Sequence, residues 1–259
     1  MSDPIDLHTD VPHSARVWNY WLGGKDNFAA DRELGDKVAA LHPEIVDIAR
    51  QARQFLVRVV TFLAGEAGID QFLDIGTGLP TMQNTHEIAQ QIRPAASIVY
   101  ADNDVLVLTH ANALLTNTSP EGSTSYVHAD VRDPEQVIAE ASAVLDFSRP
   151  VAVMLLGILG HATPEFADML RVVRTLMAAV PSGSYLVLVD GSNTSESVRA
   201  GAKINNGYIL RSPEEFQECF AGLELVEPGV VPTPFWRPAP ADIGAPKQID
   251  SYGAVGRKP

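Results

Sequence analysis

The chain has 259 residues, 46% of them hydrophobic, enough for one large α/β domain with a full core. Its formal net charge of −13 argues against a nucleic acid as main partner, because phosphate binding needs a basic stripe. A single cysteine, Cys219, excludes an internal disulfide, and no apolar run approaches the roughly 20 residues of a membrane span. With a polar, acidic start at residues 1–10, a cytoplasmic protein with no membrane partner is expected. The oligomeric state is left open, a homodimer included.

Residues 1–12 read as a mobile lead-in. From residue 13 the texture changes: Trp18, Tyr20, Trp21 and Phe28 crowd beside Arg16, Gly23, Gly24, Lys25 and Asp26. Ser14 is placed to cap a short helix ending at Gly23, and a second helix is expected over residues 31–41. Aromatics mixed with charges suit a lid over a ligand; an aromatic-rich packing element is the alternative. Residues 43–64 form a long amphipathic helix, with Ile45, Ile48, Ala49, Ala52, Phe55, Leu56, Val59, Val60 and Leu63 at helical spacing.

Strands and helices then alternate. Strands are expected at residues 72–75, 97–101, 124–128, 151–156 and 184–189, with helices at 83–91, 105–115, 134–143 and 164–179. Asp133 is placed to cap the third of these helices, and Thr163 the fourth, with Pro164 at its first position. Repeated strand–helix units imply a doubly wound, mostly parallel sheet, which binds ligands at the carboxyl ends of its strands. The predicted rim is residues 74–78, Asp102, Asn103, Asp130, Val131, Leu156, Gly157 and Asp190. Helices are also expected at 195–203 and 213–220. Strands at 223–226 and 251–256, with no helix between them, suggest an antiparallel edge, and residues 228–246 are a proline-rich loop containing Phe235 and Trp236.

The organising stretch is residues 71–81. A short apolar strand meets Asp74, then Gly76-Thr77-Gly78 makes a tight turn before a helix. Such a turn admits a ligand close to the backbone and aims N–H groups at it. Asp102 follows roughly 25 residues later, near the spacing of about 20 typical of an acid that holds ribose hydroxyls. NAD and S-adenosylmethionine share that ribose. Against NAD, Thr81 stands where the dinucleotide fingerprint has glycine, and Asp74 suits an ammonium rather than a pyrophosphate. Asp130, at the third strand end, can accept the adenine amino group. Each acid alone could be a helix cap or a solvated turn; their recurrence at three successive strand ends favours a site.

These segments resemble the class I S-adenosylmethionine-dependent methyltransferases. The carriers are residues 73–78, 99–104 and 128–131. The resemblance is closer to the S-adenosyl methyltransferase family, formerly a domain of unknown function, through residues 15–32 and 72–81, and it extends over most of the chain. It implies an α/β, Rossmann-like methyltransferase sheet with an antiparallel edge strand. Residues 1–66 would be an N-terminal helical lid plus the long helix, and residues 67–259 the methyltransferase domain. Pro80 departs from the general motif, so the turn must act through Gly76, Thr77 and Gly78.

By resemblance, Asp74, Gly76, Thr77 and Gly78 face the amino-acid end of S-adenosylmethionine. Asp102 holds the ribose, flanked by Asn103, while Asp130 and Val131 hold the adenine. Leu156 and Gly157 pass near the sulfonium. Arg16 would reach the cofactor carboxylate, with Tyr20 and Gly23 as further contacts. Displacement at a sulfonium carbon needs alignment and exclusion of water, and a base only where the acceptor must lose a proton. His161, just past the fourth strand, is the first base candidate and Tyr20 the second. His161 can equally pack or cap a helix, and His128 reads as structural. No cluster has metal-ligand spacing, so no metal is expected. A methyltransferase acting on a small-molecule acceptor leads; a non-catalytic cofactor-binding module and an NAD-dependent oxidoreductase are the alternatives. Trp18, Tyr20, Trp21, Phe28, Phe235 and Trp236 hint at an apolar or planar acceptor, though core packing explains them too.

Overall fold

The computed structural model describes residues 8–80, 83–104, 106, 107, 109, 117–238 and 246–259. Thr81, most of the helix expected over residues 105–115 and the middle of the proline-rich stretch lie outside the described residues. Three helices open the chain: α1 (Ser14–Trp21), α2 (Ala29–Leu41) and α3 (Ile45–Gly65). An alternating series follows: β1 (Gln71–Ile75), α4 (Thr85–Ile92), β2 (Ser97–Asp102), β3 (Ser123–His128), α5 (Pro134–Ala141) and β4 (Ala152–Leu156). The short α6 (Leu159–Ala162), α7 (Phe166–Ala179), β5 (Tyr185–Gly191), α8 (Glu196–Ile204) and α9 (Pro213–Glu218) come next. The chain ends with β6 (Glu224–Leu225), β7 (Val231–Pro232) and β8 (Ser251–Arg257).

The strands form one sheet in the order β3-β2-β1-β4-β5-β8-β6, with β7 also paired to β8. The first five run parallel; β8 is antiparallel to β5, with Tyr185 opposite Arg257 and Gly191 opposite Ser251. The two-residue β6 and β7 pair antiparallel with β8. The parallel order reverses between β1 and β4, which opens the crevice where such sheets take ligands.

Strand alternation divides the core into two layers. Leu73, Ile75, Val99, Val153, Leu155, Leu186 and Leu188 pack under α5, α7 and α9 through Val137, Met169, Val172, Leu176 and Phe216. Phe72, Ile98, Met154, Val187 and Val255 pack under α3 and α4 through Phe55, Val59, Val60, Leu63 and Ile88. A smaller cluster, Val17, Trp21, Val38, Ile45, Ile48 and Ile249, joins α1 and α2 to the start of α3.

Several local expectations shift. His13, not Ser14, caps α1, its Nδ1 accepting from Ala15 N at 3.3 Å. Thr163 does not cap α7; it closes α6 instead, its backbone N–H and its hydroxyl both donating back to Leu159 O, and α7 begins at Phe166 behind Glu165. Asp133 does cap α5, accepting from Gln136 N. Trp236 is fully buried, edge-on to Phe55 and Phe62 at 5.4 and 5.9 Å, and Phe235 is exposed. Both stand apart from the strand-end crevice, because Arg58 of α3 holds this turn by donating to the carbonyls of Thr233 and Trp236.

Candidate functional site

A cavity of about 360 Å³ opens at the carboxyl ends of the parallel strands, within the usual range of roughly 300–1,000 Å³ for small-molecule sites. Its first wall is the turn after β1. Gly76 N extends the ladder to Ala101 O at 2.8 Å, and Gly76 takes a φ of +72°. A Cβ there would also stand 2.5 Å from Ile158, so only glycine fits the turn. Gly78 N donates to Asp102 Oδ2 at 3.0 Å, fastening this turn to the end of β2. Thr77 Oγ1 is buried in this turn beside the Tyr126 hydroxyl, with which it interacts.

Three carboxylates from successive strand ends, Asp74, Asp102 and Asp130, line the cavity in different electrostatic states. Asp74 faces the α3–α4 layer, where Thr85 Oγ1 donates to it at 2.7 Å. Burial raises its pKa to about 6, opposed by the Thr85 hydrogen bond and by Arg53. Arg53 is itself pushed down by burial, and Asp74 is first among the charges that oppose this. Asp102 accepts from Gly78 N and, at 2.9 Å, from Asp104 N; burial raises its pKa against those two bonds. Asp130 is more open. It accepts from Arg132 and, at 3.0 Å, from Asn103 Nδ2, and the Arg132 guanidinium leads the effects that hold its pKa near about 2. His128 is tied to Asn103 O at 3.1 Å, consistent with a structural role.

Past β4, Gly157 has a φ of +83° and nothing within 4 Å of where a Cβ would sit, so its α-carbon meets open space. Gly157, Leu156 and Val131 all contribute to the wall. His161 also faces the cavity. It is open to solvent on that side but enclosed by protein on the others, and this burial lowers its pKa to about 4. Its ring lies edge-on to Tyr208 at 4.6 Å. Tyr208 fills a slot between two glycines: a Cβ at Gly160 or Gly191 would stand 2.6 or 2.9 Å from its ring. Its hydroxyl accepts from Gly191 N at 2.8 Å and donates to Asp190. Asp190 also accepts from Gly160 N at 3.0 Å, and burial raises its pKa to about 6. Asp190 therefore fastens the β4–α6 connection to β5 and Tyr208, a scaffolding task.

Helix α1 supplies the roof through Ala15, Trp18 and Asn19, and His13 at its start reaches Asp104 at 3.1 Å. Three expected contacts fall outside this cavity. Arg16 is 3% exposed and committed to Asp31, to which its Nε donates at 3.1 and 2.9 Å. Asp31 also accepts from His13 N and Phe28 N, so this buried pair is the joint between α1 and α2. The Tyr20 hydroxyl donates to Asp36 at 2.8 Å on the outer side, and that bond raises its pKa. Gly23 sits in the turn after α1 with a φ of +78°; the neighbouring Gly24 packs on Asn19, which accepts from Asp26 N and Asn27 Nδ2. The dense motif at residues 18–28 thus spends much of its polarity on its own turn. Arg53, Thr85, Tyr208, His42 and Asn205 line the cavity without a local sequence signal. They come from helices or loops with no glycine turn or strand end to mark them.

A model described as S-adenosyl methyltransferase matches residues 2–259. The chain belongs to the S-adenosyl methyltransferase family. A family protein of known structure from Streptomyces avermitilis, described as DUF574, is 42% identical with a TM-score of 0.92, over 98% of this chain and 100% of that one. A structure from Thermobifida fusca is 43% identical with a TM-score of 0.89, over 100% and 99%. The plantazolicin methyltransferase in complex with SAH is 11% identical with a TM-score of 0.51 over 95% of each chain, a likeness of fold alone. A search of curated proteins found no match.

The cofactor of this methyltransferase family is S-adenosylmethionine. The residues present fit it: the glycine turn, which a Cβ at Gly76 would block, and three strand-end acids border one cavity. Among the described residues, no group of His, Cys, Asp and Glu is arranged to hold a metal, and no helix is long and apolar enough to cross a membrane.

Proposed function

We propose that the protein transfers the methyl group of S-adenosylmethionine to a small-molecule acceptor held in the same cavity. The observation that carries this is the convergence of Asp74, Asp102 and Asp130, with the Gly76–Gly78 turn, on one space. In this reading Asp74 meets the α-ammonium, Asp102 the ribose hydroxyls, and Asp130, Val131 and Asn103 the adenine edge. Leu156 and Gly157 border the reacting carbon, where the bare α-carbon of Gly157 leaves room for it. Helix α1 acts as the lid; Trp18 and Asn19 shield the site from water, which would otherwise compete for the methyl group.

Bound there, the cofactor supplies a methyl carbon already activated by a sulfonium. The chain's task is then alignment, which can contribute several kcal/mol, of the order of 7–11 in well-oriented systems. With its lowered pKa, His161 is neutral near pH 7. It can accept a hydrogen bond from an O–H or N–H acceptor while presenting no charge to repel a sulfonium, a positioning role that its low proton affinity suits better than full proton transfer. Tyr20, turned outward onto Asp36, has no part in this reading.

The test is an acceptor screen with S-adenosylmethionine carrying a labelled methyl group, run on wild type and on His161→Ala. Transfer to a small molecule that falls in the variant is expected. Tight cofactor binding with no transfer to any acceptor class would instead support a binding module.

A further inference from the structure

Beyond the three carboxylates the cavity continues into a compartment of different chemistry. Trp18, Trp21, Leu22, Ile48 and Val198 give it apolar walls, with Trp18 and Trp21 edge-to-face at 5.9 Å. Three polar groups there are unspent. Asn205, at the end of α8, is nine-tenths buried, and its side-chain amide makes no hydrogen bond among the described residues. The His161 imidazole, at the β4 side, likewise has only its ring contact with Tyr208. His42, at the end of α2, uses Nδ1 on Ser197 Oγ at 3.1 Å, while its buried Nε2 has no partner.

Of the three, His42 Nε2 is a fully enclosed polar atom without a partner, which typically costs about 1–3 kcal/mol, while the Asn205 amide and the His161 ring keep access to the cavity and are free to meet a ligand beside the apolar side chains. Asn205 and His161 both contact Tyr208. Tyr208 N donates to Asn205 O at 2.9 Å, while the Tyr208 ring, wedged between Gly160 and Gly191, abuts His161. Aromatic walls favour a flat ligand body.

We propose that this compartment takes a planar, largely apolar small molecule bearing one hydrogen-bond-donating group, and that Asn205 and His161 receive that group. Because His161 follows Gly157, this is also the group placed to receive the methyl. The inference rests on the methyl-transfer reading above for that last step, but not for recognition.

The test uses 2-naphthol and naphthalene as a matched pair, titrated by NMR into the full chain with and without S-adenosylhomocysteine. Wild type should bind 2-naphthol about tenfold more tightly than naphthalene, the effect of one well-placed hydrogen bond in a buried setting. Asn205→Leu, close in size, should shrink that preference to about threefold or less while naphthalene binds as before, and His161→Phe should do the same. Equal affinities in wild type, or an undiminished preference in both variants, would overturn the proposal. A retained naphthol preference without any S-adenosylhomocysteine binding would support the compartment and sink the transfer reading. Normal S-adenosylhomocysteine binding with no preference would do the reverse.

Discussion

Asp74 is held in a state that opposes folding, and replacing it should show this. Burial lifts its pKa from the ordinary aspartate value of about 3.9 to about 6. At about 1.36 kcal/mol per tenfold change in proton affinity, that gap corresponds to about 3 kcal/mol. A carboxyl with a raised folded-state pKa binds its proton more tightly in the fold than in the unfolded chain. Its contribution to stability is therefore greatest below pH 4, falls as pH rises through 6, and is lost above that. Asp190, raised to about 6 by its own burial, adds a second term of the same sign. Asp74→Asn keeps an oxygen for the Thr85 hydroxyl and removes one of the two. Urea unfolding of wild type and variant at pH 4.5 and pH 7.5 isolates the effect. At pH 7.5 the variant should be more stable by about 1–3 kcal/mol, the lower end reflecting loss of the Arg53 interaction, and the advantage should shrink toward zero at pH 4.5. The same variant should lose cofactor affinity, since a neutral amide cannot match an ammonium. A variant that is no more stable at pH 7.5, or whose advantage ignores pH, would refute this account of Asp74.

Other expectations are as direct. Arg16→Ala leaves the buried Asp31 without its guanidinium partner, held only by two backbone N–H groups, so thermal or urea unfolding should show a loss of about 3–5 kcal/mol; a change under 1 would mean that the pair is not the joint of α1 and α2. Tyr208→Phe removes a donor to Asp190 and an acceptor for Gly191 N, and should cost about 1–3 kcal/mol in urea unfolding. Gly160→Ala should cost about 1–3 kcal/mol by overpacking, because the new methyl meets the Tyr208 ring. Deleting residues 1–28 removes α1 and should abolish cofactor affinity while far-UV dichroism still reports the sheet; retained affinity would make this segment a packing element only.

Much of the sheet was legible because strand ends carry their own punctuation. Asp74 before Gly76, Asp102 after an apolar run and Asp130 after Val127 and His128 mark where chain direction and solvent exposure change together, and all three reach one cavity. Element boundaries held to within a few residues where a cap was strong, as at Asp133. They slipped where a competing bond won, as at Thr163, whose hydroxyl turns back to Leu159. The N-terminal motif was legible as a unit but not by residue. Arg16 and Tyr20 carry the chemistry of a ligand contact, yet Asp31 and Asp36 lie 15 and 16 residues away in sequence and claim them. Tyr208 and Asn205 could not be found in sequence at all. Their places depend on a glycine slot shared by α6 and β5, which only the folded chain assembles.

The central claim is that the strand-end acids form a site for S-adenosylmethionine, and the most direct measurement is calorimetry on Asp102→Ala beside wild type. Wild type should bind S-adenosylmethionine and S-adenosylhomocysteine and leave NAD unbound. The variant should bind both sulfur compounds more weakly by about 1–3 kcal/mol, a factor of roughly 5–150. Equal affinity in the two proteins, or binding of NAD in preference to both, would contradict it.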